Sequence, residues 1–412
     1  MIEENKDNLI RLKEKLNALE PQSDDLKPLF ELQCDILKCI LEQEDKIKET
    51  KTKFKETKAY LRKARLSKND SKIVKGKMGE LEDEIKDRQK LAYIYRCIGD
   101  GIVFKYISKW NLKRFFYEVD SPDVKSDAGS LGNKNGLKNE LGLVYNAIEH
   151  DVPAVLNDLT NVIRHGDVCL LGADDPHVIE VKSSQNKNKR VERQISAINK
   201  IHDYLSNDVA DIAGVEDMRR VELSAEEVHF NNVINELVEQ SAIQSPAKVS
   251  PEEGIIYVAI DTTLEKKTDY GEVFKGIEKP MFFTLNHTKN EQIWDNYYPF
   301  TLSIQSPESF YRFVNGDVFI IVMIDLAVME RKAKQLGLDT ELVFDGAIAL
   351  YFSKELDGLD EPFGFYVSEH YFGRLGLEFL SLDWFFKEME ANTLLMEEHI
   401  LKQMEQLKAK EL

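Results

Sequence analysis

Between Gly166 and Lys182 the chain reads GDVCLLGADDPHVIEVK. Two short apolar runs flank a turn-forming GADD, a pattern that predicts a β-hairpin. With Gly172 to Asp175 as the turn, Leu171 faces Pro176, and the pairing runs back to Asp167 opposite Glu180. Opposed residues share a face, and strand alternation adds Lys182 to it, with Val181 behind. Two carboxylates and an ammonium then meet on an otherwise apolar hairpin. Buried charge is costly unless it is paired or bound to metal. The chemical reading is a divalent metal site. Asp167 and Glu180 are hard oxygen donors of the kind Mg²⁺ (or Mn²⁺) takes, and Lys182 stands ready to orient water or stabilise developing charge. The bland reading is a structural ion cluster of the same three groups. A one-residue slip in register would send one acid to the opposite face.

Two further polar residues fall where apolar ones are expected. Glu140 lies on the apolar face of a predicted helix, Leu137–His150, three residues from Leu137 and four before Val144. Gln194 lies on the apolar face of the next predicted helix, Arg190–Leu205, between Val191 and Ile198. A Glu and a Gln on helices flanking an acid-bearing hairpin suggest one convergent site. A basic cluster (Lys182, Lys187, Lys189, Arg190 and Arg193) follows the hairpin directly, and phosphate contacts need positive charge of this local kind. The alternative for it is a solvated loop and helix start.

In order and context these residues resemble the PD-(D/E)XK nuclease superfamily, over roughly residues 137–260. That family's core runs helix, three strands, helix, strand, with an acid on the second strand and (D/E)xK on the third. The resemblance implies an α/β fold: a restriction-endonuclease-like mixed sheet flanked by helices. It implies that Asp167 and Glu180 bind Mg²⁺ with help from the Val181 carbonyl, and that Glu140 completes the metal shell. It also implies that Lys182 assists the attacking water and that Gln194 positions the site or substrate. The function implied is hydrolysis of DNA phosphodiesters by a subunit of a bacterial restriction or anti-phage defence system. One departure is Gly166 in place of the proline that often precedes the first acid. The alternative function is an inactive nuclease-like scaffold acting through protein contacts.

Around this core, residues 1–117 read as an all-α coiled-coil arm. Ile40, Ile47, Phe54 and Leu61 recur every seven residues, and Val74, Met78, Leu81, Ile85, Arg88, Ala92 and Tyr95 alternate by four and three, which is heptad spacing. The pattern predicts an antiparallel helical hairpin turning at Ser67–Ser71, available for a homodimer or for a partner protein. Residues 118–136 are rich in Gly, Ser, Asn and Asp and read as a linker. Residues 137–381 read as the core with its elaboration, and 382–412 as a C-terminal helix. Within the core, Ile255–Ile260 and Val318–Ile324 are wholly apolar and predict buried central strands.

The net charge of −18 argues against indiscriminate nucleic-acid binding. The acidity is uneven: residues 1–210 carry 37 basic and 36 acidic side chains, the remainder 18 and 37. Four cysteines without CxxC spacing suggest neither zinc nor a disulfide framework. No apolar run approaches the roughly 18 residues of a membrane span, and MIEENKDNLI lacks signal character. The expected setting is therefore cytoplasmic, without membrane attachment.

Overall fold

The computed structural model describes residues 1–127, 129–134, 136–181, 189–264, 270–294 and 296–411. The chain forms two compact units, Met1–Arg220 with Asn290–Asn315, and Val221–Lys289 with Gly316–Leu412. The division does not follow the boundaries expected at 117, 136 and 381. No helix among the described residues is long and apolar enough to cross a membrane.

The first unit opens with α1 (Lys6–Ala18), α2 (Lys27–Lys63) and α3 (Lys68–Tyr106). Pro28 sits in the first turn of α2, where its missing N–H costs nothing. The Ser67 side chain caps α3 by accepting from the Asp70 N–H, so the hairpin turns just before Ser67 rather than through Ser67–Ser71. Near their base the two helices bury Leu32, Ile36 and Ile40 against Leu91, Tyr95 and Ile98. Towards the tip Ile47, Phe54, Leu61, Val74 and Met78 are only half-buried, because two helices alone cannot enclose both flanks of a seam.

The base of the arm belongs to the same core as the acid-bearing hairpin. Helix α4 (Leu137–Glu149) is followed by β1 (Ala154–Leu156), β2 (Val168–Leu170), β3 (His177–Ile179) and α5 (Lys189–Asn207). The strands form one antiparallel sheet in the order β1-β2-β3. The outer edge of β1 is closed by a side chain of α2. Gln33, fully buried, donates to the Ala154 carbonyl at 2.9 Å and accepts from the Leu156 N–H at 3.0 Å, so its amide replaces a missing neighbouring strand. Farther along α3, Asp100 accepts from the Asn161 and Val162 N–H groups at 2.7 and 3.0 Å. Gly99 lies so close to the turn after β1 that a Cβ there would fall 1.9 Å from the Leu159 carbonyl oxygen.

The order helix, three strands, helix is the order expected, but the mixed sheet is not observed. Every ladder among the described residues is antiparallel. The strand after α5, β4 (Val209–Ile212), pairs with β5 (Val215–Arg219) in a sheet of its own. Ala213 and Gly214, both with positive φ, turn the chain straight back, which is how a tight hairpin forms and what takes β4 away from a parallel partner.

The second unit contains α6 (Asn231–Ser241) and the strands β6 (Ala247–Glu252), β7 (Ile255–Asp261), β8 (Pro280–Thr284) and β9 (Val318–Asp325), in the order β6-β7-β9-β8. The two apolar runs are the central strands β7 and β9, as their composition predicts. Helix α7 (Leu326–Gln335) follows, then an antiparallel sheet of β10 (Asp339–Leu342), β11 (Ile348–Lys354) and β12 (Phe363–Ser368), and the helices α8 (Glu369–Leu377) and α9 (Leu382–Glu411). The start of α9 buries Trp384, Phe385, Phe386 and Met389.

Candidate functional site

The predicted hairpin register is the observed one: Val168 pairs with Ile179, Cys169 with Val178 and Leu170 with His177, which extends to Asp167 opposite Glu180. Both acids lie one residue beyond the strand ends. At this edge the Asp167 N–H donates to the Ile179 carbonyl at 2.8 Å, and the Val181 N–H donates to Asp167 Oδ2 at 2.8 Å. What the structure gives for Val181 is thus its N–H on Asp167, a contact that fixes one carboxylate oxygen and leaves the other to point inwards.

Gly166 explains the departure from proline. Its φ is +65°, and a Cβ would lie 2.4 Å from Val178 Cγ1. Proline fixes φ near −65°, so this backbone excludes it.

The inward oxygen of Asp167 meets a cation supplied by the chain. Lys134 Nζ lies 2.8 Å from Asp167 Oδ1, 2.8 Å from Asp158 Oδ2 and 2.8 Å from Glu140 Oε2. Glu140 is almost fully buried on α4, as its place on the apolar face suggests. Burial pulls the Lys134 ammonium down, but the hydrogen bonds to Asp158, Asp167 and Glu140 outweigh it, and the pKa is raised above the ordinary lysine value. Burial raises the Glu140 carboxyl, with Lys134 pulling the other way and Asp167 and Asp158 adding to the rise. Three carboxylates from three separate elements around one cation form the kind of donor set that suits a hard divalent ion; here the Lys134 ammonium holds that position. The 2.8 Å spacing is that of an ammonium cage. Mg²⁺ would need about 2.0–2.1 Å, so the carboxylates would close in around it.

The cluster opens onto a cavity of about 930 Å³ lined by Lys134, Asp158, Asp167, Glu180, Arg193 and Gln194, among others. Glu180 is half-buried, with Oε2 enclosed. The structure therefore brings together Glu140, Asp167, Glu180, Gln194 and Arg193 from the sequence reading. Lys189 is exposed on the first turn of α5 and is not among the cavity's lining residues. Arg190 lies in the same turn, its side chain outside the described atoms, and Lys182 and Lys187 lie outside the described residues.

Sequence reasoning missed Lys134 and Asp158. Asp158 comes two residues after the apolar run that becomes β1, and that position was its signal. Lys134 sits in the stretch expected to be a linker, of which residues 130–132 are held by α2. Glu44 on α2 accepts from the Leu131 N–H at 3.1 Å, the Gly132 N–H at 2.8 Å and the Ser130 hydroxyl at 2.7 Å. Those backbone donors have no sheet or helix partner, and the carboxylate satisfies them, holding Lys134 in place. His165 lines the cavity, but its Nε2 lies 2.9 Å from the Tyr117 carbonyl oxygen, to which the neutral ring donates, and burial pushes its pKa down to about 4.

A second polar cluster lies in the other unit, where ligand atoms of Glu227, His229 and Glu378 fall within 4.8 Å of one another. Buried Arg374 pairs with Glu227 and, at 2.9 Å, with Glu378. Its guanidinium neutralises the acids, so we read this group as a structural ion network. No known family model, curated protein or solved structure matches the chain.

Proposed function

We propose that the first unit is a metal-dependent nuclease with a restriction-endonuclease-like core, and that Glu140, Asp158, Asp167 and Glu180 would hold Mg²⁺ or Mn²⁺. The observation that carries this reading is the convergence of the first three carboxylates on a single cation at the floor of a large cavity. The ion supplies charge neutralisation for a phosphodiester. The chain's own contribution is positional. The Val181 N–H fixes the Asp167 carboxylate, burial holds Glu140 in place, and Gln194 and Arg193 on α5 face the cavity as contacts for substrate. The resemblance assigns Lys182 to the attacking water. DNA is the expected substrate.

The test is cleavage of linear and circular DNA, single-stranded DNA and RNA, with Mg²⁺ or Mn²⁺ against EDTA, beside Asp167→Asn and Glu180→Gln. Metal-dependent cutting that both variants lose supports the reading, and cutting that either variant retains at the wild-type rate overturns the assignment. One observation favours a second reading, an inactive nuclease-like scaffold. Lys134 already fills the cation position, and a protein that never exchanges it would bind no metal. Titration with Mn²⁺ separates the two readings.

A further inference from the structure

The tip of the helical arm is opposite in charge to the molecule. From Lys46 to Lys77 the chain carries thirteen basic and three acidic residues, in a protein of net charge −18. On α2 the basic residues are ordered. Lys48, Lys51, Lys55, Lys58 and Arg62 follow one another by three, four, three and four, so they share one face of the helix, and all five are exposed. This stripe spans about 21 Å at 1.5 Å per residue.

The stripe leads towards the acid cluster. Lys48, Lys51 and Lys55 line a cavity of about 610 Å³ together with Arg96, Asn161 and Arg164. Asp127, Gly129, Ser130, Ile163 and Arg164 line both this cavity and the one above the carboxylates, so the two are neighbours across a shared wall. Acidic residues are present as well. Asp45 lines the first cavity, Glu44 is engaged by the loop amides and faces Arg96 at 3.6 Å, and Asp127 pairs with Arg164 at 2.7 Å. The lysines are the cations that project from the helix.

We propose that this face of α2 binds the sugar-phosphate backbone of a polynucleotide and delivers it to the acid cluster, so that the arm is a substrate-binding element. Regularly spaced point charges beside a site built for a hard cation suit phosphate better than the irregular carboxylates of an acidic protein. The inference rests on the nuclease reading for where the strand leads, but binding and cutting are separately measurable.

The experiment is fluorescence anisotropy of the full-length protein with labelled 20-mers of single-stranded DNA, duplex DNA and single-stranded RNA, in EDTA so that nothing is cut. Lys51→Gln/Lys55→Gln/Lys58→Gln is compared with wild type, since glutamine keeps helix propensity close to that of lysine and circular dichroism verifies the fold. We expect the triple variant to lose at least about tenfold in affinity, and its slope of log K against log salt to fall by about 2–3, near one per phosphate contact removed. A triple variant with wild-type affinity and slope overturns the inference whether or not the enzyme cuts. Displacement by polyglutamate as readily as by nucleic acid overturns it in favour of an acidic protein partner. Binding lost in the triple variant with no metal-dependent cutting by wild type upholds the inference and removes the nuclease reading.

Discussion

Two residues beside the acids set the terms of the site. At Gly166 the backbone lies in the left-handed region with no room for a Cβ. Gly166→Ala should therefore destabilise the first unit by about 2–4 kcal/mol, combining φ strain with a clash. Gly166→Pro, whose ring fixes φ near −65°, should leave no folded protein. Urea midpoints and expression in soluble form check both. At Lys134 the sign depends on metal. Lys134→Met removes the only cation among the described residues that lies within 2.8 Å of Glu140, Asp158 and Asp167, and breaking such a pair leaves like charges facing each other. The ammonium is partly exposed, so the cost falls below the value for a fully buried pair, at about 2–3 kcal/mol. The same carboxylates should then bind Mn²⁺ more tightly, because the ion no longer competes with an ammonium. Calorimetric titration should show higher affinity, and Mn²⁺ should raise the melting temperature of the variant more than that of wild type. A variant that binds Mn²⁺ no better than wild type would show that Lys134 does not compete for the position.

At the scale of elements, the joint between α3 and the turn after β1 carries a pH signature. Burial pushes the Asp100 carboxyl up to about 6, against the pull of hydrogen bonds from Asn161 and Val162. A folded-state pKa above the unfolded value near 3.9 means that the stability Asp100 contributes is fully present below about pH 4 and lost as pH rises through 6. His165, lowered to about 4 by burial, runs the other way. Its contribution is present above about pH 6.5 and lost as pH falls towards 4. The two slopes oppose each other over one window, so the informative quantity is the difference between wild type and Asp100→Asn, in which His165 cancels. That difference should move against wild type by on the order of 3 kcal/mol between pH 4 and 7, read from urea midpoints at each pH. The elements also show what a sequence discloses. The hairpin register, the burial of Glu140 and the centrality of β7 and β9 were legible, because period-2 alternation, a polar residue on an apolar stripe and an unbroken apolar run are local signals. Lys134 was not, because its position depends on Glu44, far away in the chain, fastening the 130–132 loop, and Asp158 offered only its place just after an apolar run. Nor was the antiparallel sheet. Whether a strand after a helix joins the earlier sheet or folds back is decided at Ala213 and Gly214, against a helical spacing that suits a parallel crossover equally well.

At the scale of the whole molecule, the coiled-coil pattern of residues 1–117 covers two parts with different physics. The base is core. Gln33 closes the edge of β1, Asp100 binds the turn after it, and Leu32, Ile36, Tyr95 and Ile98 are fully buried. A chain beginning at residue 118 would expose the β1 edge and the apolar surface that α2 and α3 cover, so it should fail to form the first unit, seen as lost protection of the β1–β3 amides in hydrogen exchange. The tip is different, since none of the described residues from 53 to 79 is buried. Below it, Thr50 meets Glu84 at 3.3 Å and Gln43 meets Arg88 at 3.3 Å, so a short Gly-Ser turn joining residues 52 and 80 would leave these cross-helix contacts in place. Such a shortened protein loses no core and should keep its unfolding free energy to within about 1 kcal/mol. If the heptads served only to build the fold, shortening them would leave every ligand untouched. With the stripe beyond Thr52 serving phosphate, the shortened protein should keep the Mn²⁺ titration of wild type and lose polynucleotide binding at about 150 mM salt, where surface charge acts over about 8 Å. A shortened protein that still binds polynucleotide as tightly as wild type would place the phosphate contacts at the base of the arm or on α5.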